Sequence, residues 1–406
     1  MTPDITQRPT RLFLLSLVAV TAIGPLSMQI FIPALPIIQR DFGVAAGTAQ
    51  LALSLSMVAI AFATLAYGPL SDRYGRRPVL IGGLLVYLLG SLICSLAADM
   101  AWLIQGRILQ AAGGAAGIVL ARAIVRDVYA HEQVASAIAY LTMAMIVAPM
   151  VAPAIGGVLT ELMGWRAIFV SVGAIGLPVL ALVLLRLAET NSQPARHRGL
   201  TGMLEGFALL LRAPLFCGYA LNGAFAMAAF FAFAAGAPYL MVNVMGRPVS
   251  EYGLYFIAVS GAFMVGNFAA ARLSRRIGGD SMIIAGSAFG LAAILVGALL
   301  AAGHVWTAPA IFGPMIAIAF GNGLTMPNAQ AAALAVLPRS AGTASGLSGF
   351  LQMGISAIFA QAVGSLQGDS PTVMVAFMAA GLGLSILSVM LGLRYGRARV
   401  TAAGGD

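Results

Sequence analysis

Twelve apolar runs, separated by short polar breaks, set the pattern of this chain: 12–38, 48–67, 78–98, 101–121, 134–160, 166–187, 213–240, 252–271, 281–302, 306–328, 341–366 and 371–393. Each approaches or exceeds the roughly 20 residues that cross a bilayer as a helix. Inside lipid, separate spans satisfy their backbone groups only as helices, so the pattern predicts an all-α membrane protein of twelve spans. The longest polar break, 188–212, divides the chain into a six-span half over 1–187 and a second over 213–406. Within that break Met203, Leu204, Phe207, Leu210 and Leu211 recur at helical spacing, which predicts a short helix lying in the membrane interface. The first run, Leu12 to Ile38, is too long for a cleaved leader and has no clear cleavage site, so it is expected to stay as a span.

Composition agrees. Hydrophobic residues make up 60% of the 406 residues and only 9% are charged; mean hydropathy is +0.96. A water-soluble fold of this size could not hide that much apolar surface, whereas a bilayer solvates it. The net charge of +9 does not point to nucleic acid, because the basic residues sit in short clusters between apolar runs and form no polar face. All 22 are arginines. Eighteen fall on one side of the twelve-span topology; only Arg40, Arg166 and Arg247 fall on the other, and Arg107 lies inside a span. By the positive-inside rule the rich side is cytoplasmic and both termini lie there.

The residue inventory excludes several chemistries. Without lysine there is no phosphate-loop lysine and no Schiff base. Cys94 and Cys217 fall in apolar runs, and His131, His197 and His304 are scattered. Neither a disulfide framework, a metal site nor a cofactor is expected. An integral-membrane enzyme would need His, Asp or Glu clustered near one face, and no such cluster is visible. Nothing in the chain calls for an obligate partner beyond the bilayer, so a monomer is expected.

Four motifs carry chemistry. The stretch Gly68-Pro-Leu-Ser-Asp-Arg-Tyr-Gly-Arg-Arg-Pro78 reads as a short loop holding Asp72, Arg73, Arg76 and Arg77, with Gly68 and Gly75 allowing a tight turn. A degenerate copy, Gly266 to Gly278, follows about 200 residues later with Arg272, Arg275 and Arg276 but without the acid. In the fourth span Arg107 shares a helical face with Gln110, Gly114 and Gly117. An unpaired arginine at that depth costs on the order of 3 kcal/mol, which favours a polar cavity in front of it; the competing reading is a structural arginine on carbonyls of the first span. The fifth span holds Pro149, Pro153, Gly156 and Gly157, a kink followed by a close-contact pair. The first span carries Gly24-Pro-Leu-Ser-Met-Gln-Ile-Phe-Ile-Pro-Ala-Leu-Pro36.

The 68–78 stretch closely resembles the loop between the second and third spans of major facilitator superfamily transporters. Arg107-Ile-Leu-Gln-Ala-Ala-Gly-Gly-Ala-Ala116 resembles the Arg-x-x-Gln-Gly motif of that family's fourth span, and 148–157 its antiporter motif, with Ala152-Pro153 where Gly-Pro is usual. The first span is similar to that of the Bcr/CflA branch of drug-resistance exporters. The resemblance implies two pseudo-symmetric six-helix bundles rocking about a central site, in the inner membrane of a bacterium, exporting small neutral or amphiphilic antibiotics in exchange for protons. It also implies that Asp72 is a gate residue engaging the opposite half, that Arg76 pairs with an acid at the end of the fourth span, where Asp127 stands, and that Arg107 belongs to coupling.

One departure bears on coupling. Relatives of this branch carry an acid in the first span about where Gln29 stands, and none of the 13 acids here falls well inside a span. Three mechanisms stay open: proton exchange through a boundary acid such as Asp41 or Asp99, uncoupled carriage, or an anionic substrate bound at Arg107. Gln29, Arg107, Gln110, Asn222, Tyr239 and Gln352 are the candidate cavity residues. Phe225, Phe230, Phe231 and Phe233 crowd the seventh span, where they would suit a moderately apolar ligand or ordinary packing.

Overall fold

The computed structural model describes residues 11–191, 200–337 and 341–403; Arg8, Arg196, Arg198 and Arg339, part of the charge count above, lie outside them. The N-terminal bundle comprises α1 (Arg11–Ile30), a 3-10 turn (Ile32–Ala34), α2 (Leu35–Asp41), α3 (Ala46–Tyr74), α4 (Arg76–Ser95), α5 (Met100–Val128), α6 (His131–Met163) and α7 (Arg166–Arg186). A short α8 (Leu200–Leu211) leads to the C-terminal bundle: α9 (Pro214–Tyr239) with a π turn (Leu240–Val244), α10 (Val249–Ile277), α11 (Gly279–Ala302), α12 (Ala308–Val336), α13 (Ala341–Leu366) and α14 (Thr372–Ala403). Among the described residues, twelve helical segments are long and apolar enough to cross a membrane.

Boundaries differ from the apolar runs in two instructive ways. The expected first span, 12–38, is broken: Pro33 and Pro36 have no N–H to donate, and the helix passes through a 3-10 turn before α2. Conversely α3, α5, α10 and α12 run one to two turns beyond their apolar limits, because a helix continues into the polar interface until something stops it. The 68–78 stretch is therefore not a loop. Asp72 and Arg73 lie in the last turn of α3, Arg76 and Arg77 in the first turn of α4, and Gly75 alone separates them.

Gly75 adopts φ +97°, and its N–H closes on Ser71 O at 3.1 Å. The internal repeat is visible in the same corner of the other bundle: Gly278 separates α10 from α11 at φ +90°, with its N–H on Ser274 O at 3.0 Å. A side chain at either position would be strained, so these corners require glycine.

Within each bundle, small residues carry the tight contacts. A Cβ on Gly24 of α1 would lie 2.8 Å from Gly114 O of α5, and one on Gly90 of α4 would lie 2.6 Å from Gly106 O. In the C-terminal bundle Gly286 meets Gly321, and Gly218 meets Gly392, in the same manner. Lipid tails are as apolar as leucine, so close backbone approach and dispersion hold such helices together. The linker helix α8 is docked on protein: Leu210 is fully buried with Phe216, Tyr219, Ala344 and Val389, and Phe207 packs against them, while Leu211 stays exposed. Met203 and Leu204 lie outside the described side chains.

The bundles meet along two seams, α3 against α13 and α6 against α10, and are pinned at the arginine-poor end. There Ser54 Oγ donates to Gln361 Oε1 at 2.6 Å, Gln361 Nε2 donates to Gly47 O at 2.9 Å, and Glu161 Oε1 accepts from Ser250 N at 2.8 Å. Gly157 of α6 abuts Ser250, and Gly253 of α10 abuts Pro153 and Ala154. Toward the arginine-rich end the α3–α13 seam is apolar, with Phe62 edge-on to Phe350 at 5.3 Å. The α6 residues described between 132 and 151 are exposed or half-buried there, apart from Ala137 and Leu141.

Candidate functional site

Arg107 is 1% exposed, buried within the N-terminal bundle. Its Nη1 donates to Ser27 O of α1 at 3.0 Å and to Gln110 Oε1 at 2.5 Å; Gln110 Nε2 in turn donates to Ser91 Oγ of α4 at 2.9 Å. The guanidinium lies 4.3 Å from the Phe31 ring centroid. The face shared with Gln110, Gly114 and Gly117 is closed by α1, where Gly114 meets Gly24 and Gly117 meets Val20 O. In this structure the guanidinium rests on a carbonyl of the first span, the geometry of the competing, structural reading. Nε and Nη2, which carry three of the five guanidinium N–H groups, have no hydrogen-bond partner among the described residues.

Asn222 is also internal. Its Nδ2 donates to Ser385 O and Ser385 Oγ, both at 2.9 Å, and to Ser287 Oγ at 3.1 Å, tying α9 to α14 and α11. Gln29 is buried, and its Oε1 has no partner among the described residues. Gln352 is half-buried on α13, where its Nε2 faces Gly223 of α9. Tyr239 lies at the arginine-poor end, its hydroxyl 3.5 Å from Asp369 Oδ1. With Gln39, Gln50 and Gln367 it lines a cavity of about 20 Å³ between the bundles, room for a water but not for an organic substrate. The phenylalanines of α9 divide: Phe231 and Phe233 are buried, Phe233 against Phe312, while half-buried Phe225 faces Phe359 of α13. The six cavity candidates therefore do not converge. Gln29, Arg107 and Gln110 are buried in the N-terminal bundle, Asn222 is buried in the C-terminal bundle, Gln352 is half-buried on α13, and Tyr239 lies at the arginine-poor end.

The gate candidates do converge. Arg76 Nε is 3.1 Å from Asp127 Oδ2, and its Nη1 donates to Ser71 Oγ at 2.6 Å and to Asp72 Oδ1 at 2.5 Å. In this state Asp72 is held within its own bundle. Arg77 donates to Leu184 O at 2.9 Å, and Arg73 lies over the Tyr74 ring. Gly68 lies within α3, with open space around it. Glu189, at the start of the 188–212 break, seats its carboxylate on the N-terminus of α4 and accepts from Arg76 N at 2.8 Å and Arg77 N at 3.1 Å. Anions there complement free N–H groups and the helix dipole. Thr190 donates to Asp127, and Asn191 to Ser71 O and Asp72 O, so the start of the linker straps this corner. An acid just past an apolar run was the available signal for Glu189.

In the fifth span α6 stays continuous through Pro149 and Pro153. Gly156 lies against Ile30 O of α1 so closely that any Cβ would clash, and Gly157 lies on the seam with α10. The acids nominated for coupling are occupied structurally. Asp99 caps α5, accepting from Trp102 N at 2.8 Å; Asp41 accepts from Trp165 Nε1 at 2.9 Å and lies 3.5 Å from Arg166 Nη1.

Residues 17–361 match the family model described as Major Facilitator Superfamily. The chain is a member of the major facilitator superfamily. Within it the relatives are of the Bcr/CflA type. A bicyclomycin resistance protein homolog of Haemophilus influenzae is 28% identical, with 94% of this chain and 96% of that protein covered. A chloramphenicol resistance protein of Pseudomonas aeruginosa is 31% identical over 79% and 76% of the two chains. Among solved structures, a bacterial homolog of the human lysosomal transporter Spinster superposes with a TM-score of 0.68 at 17% identity, covering 95% of both chains. That likeness supports the major facilitator fold.

Proposed function

We propose that this major facilitator protein exports small neutral or amphiphilic antibiotic-like compounds across a bacterial cytoplasmic membrane, working as a monomer with its arginine-rich end in the cytoplasm. The observation that carries the reading is the asymmetry of the bundle interface. Hydrogen bonds pin one end, while the other has an apolar seam and a poorly covered α6, as expected of a carrier open toward the cytoplasm. The printed names of the relatives supply the substrate class. An anion carrier built on Arg107 is disfavoured, since that guanidinium is sealed behind α1.

Proton exchange is what the resemblance implies for coupling. In a bacterial host stripped of its own exporters, the protein is expected to protect against bicyclomycin- or chloramphenicol-like compounds. Arg76→Ala at equal membrane level should lose that protection. No protection across a broad panel overturns the export reading. In proteoliposomes, substrate crossing without any proton movement would leave an uncoupled carrier.

A further inference from the structure

The two pseudo-symmetric corners differ in charge. At the first, the Arg76 guanidinium is paired with Asp72 and Asp127, Glu189 caps the backbone N–H groups of Arg76 and Arg77, Arg77 donates to Leu184 O and Arg73 lies over the Tyr74 ring, so three carboxylates stand among three arginines. At the second, Arg272, Arg275 and Arg276 occupy the last two turns of α10, all exposed, and no ion pair among the described residues includes any of them. The neighbouring acid, Asp280, is engaged by the Tyr219 hydroxyl at 2.7 Å. Where the first corner carries a serine bonded to an arginine, the second has Ser274 donating to Asn328 Oδ1 at 2.8 Å, a neutral pair. The same turns also expose apolar side chains: Phe268 is 58% exposed, and Leu273 and Ile277 project beside the arginines. The Arg272 guanidinium lies 4.1 Å from the Phe268 ring centroid.

We propose that this corner is a binding site for an anionic phospholipid of the leaflet at the arginine-rich end. The exposed Phe268 is one helical turn, about 6 Å, closer to the bilayer centre than Arg272. The surface is therefore apolar at acyl-chain depth and cationic at headgroup depth. Guanidinium groups bind phosphodiester oxygens through paired N–H donors, and basic residues clustered just outside a span draw anionic lipid. The first corner attracts anionic lipid less, because Asp72, Asp127 and Glu189 stand among its three arginines and offset their charge. The site is independent of the substrate exported.

Native mass spectrometry of the full chain in detergent tests this with phosphatidylglycerol and phosphatidylcholine as probes. The parent is expected to retain phosphatidylglycerol in preference to phosphatidylcholine. Arg272→Gln/Arg275→Gln/Arg276→Gln should weaken retention about fivefold per arginine, on the order of a hundredfold together. The triple Arg→Lys variant keeps the charge and should retain most of the binding, which separates a lost site from a lost fold. Excess inorganic phosphate should not displace the lipid. Equal retention of the two lipids by the parent, equal retention of phosphatidylglycerol by parent and Gln variant, or displacement by phosphate would each overturn the proposal.

Discussion

Gln361 offers the sharpest test of how the bundles are held. Its side chain bridges them twice, accepting from Ser54 Oγ at 2.6 Å and donating to Gly47 O at 2.9 Å. When this end opens, each group exchanges its partner for water, so each neutral bond contributes only about 1 kcal/mol net. Gln361→Ala removes both, about 2 kcal/mol, which shifts the ratio of open to closed states about thirtyfold. An open population of about 1% would rise to about a fifth. Spin labels at Arg40→Cys and Val305→Cys report the opening by pulsed electron resonance. Both positions are exposed, and Cys94 and Cys217 would first be replaced. The variant should show a new long-distance population at this end. An unchanged distance distribution would refute the view that these side chains pin the bundles, and would leave glycine packing along α6 and α10 as the main restraint.

Other outcomes follow from the same geometry. Glu161→Ala removes the acceptor at Ser250 N and should also raise the open population, more weakly than Gln361→Ala, by the same spin-label readout. Glu189→Ala uncaps α4 and should cost about 1 kcal/mol, seen as a lower unfolding midpoint in detergent, while Glu189→Gln keeps an acceptor and loses less. Arg107→Ala removes two charge-assisted hydrogen bonds, each about 1.5–3 kcal/mol, so it should lower stability as well as transport; full stability with transport lost would return Arg107 to a substrate role. Gly156→Ala should fail to accumulate as folded protein, because its Cβ would meet the Ile30 carbonyl, whereas Gly68→Ala, in open space within α3, should be tolerated.

The twelve apolar runs, the arginine asymmetry and the doubled corner at Gly75 and Gly278 were legible in the chain, because bilayer crossing and helix termination depend on local composition. The pairing of Arg76 with an acid near Asp127 could be anticipated only through resemblance, since the two positions are far apart in sequence. What polar residues inside spans would do could not be read, because a lone Arg, Gln or Asn looks the same whether it faces a cavity or a neighbouring helix. Arg107 lies behind α1 because Gly24 and Gly114 let the two helices close, and Asn222 is spent on Ser287 and Ser385 from two other helices. Ser54, Gln361 and Glu161 drew no attention in sequence for the same reason: each gains meaning only from a partner in the opposite bundle. The sequence by itself determined that the chain crosses the membrane as two repeated six-helix halves. Only the tertiary structure decided which polar groups hold those halves together and which face one another, because that depends on how closely particular helices approach.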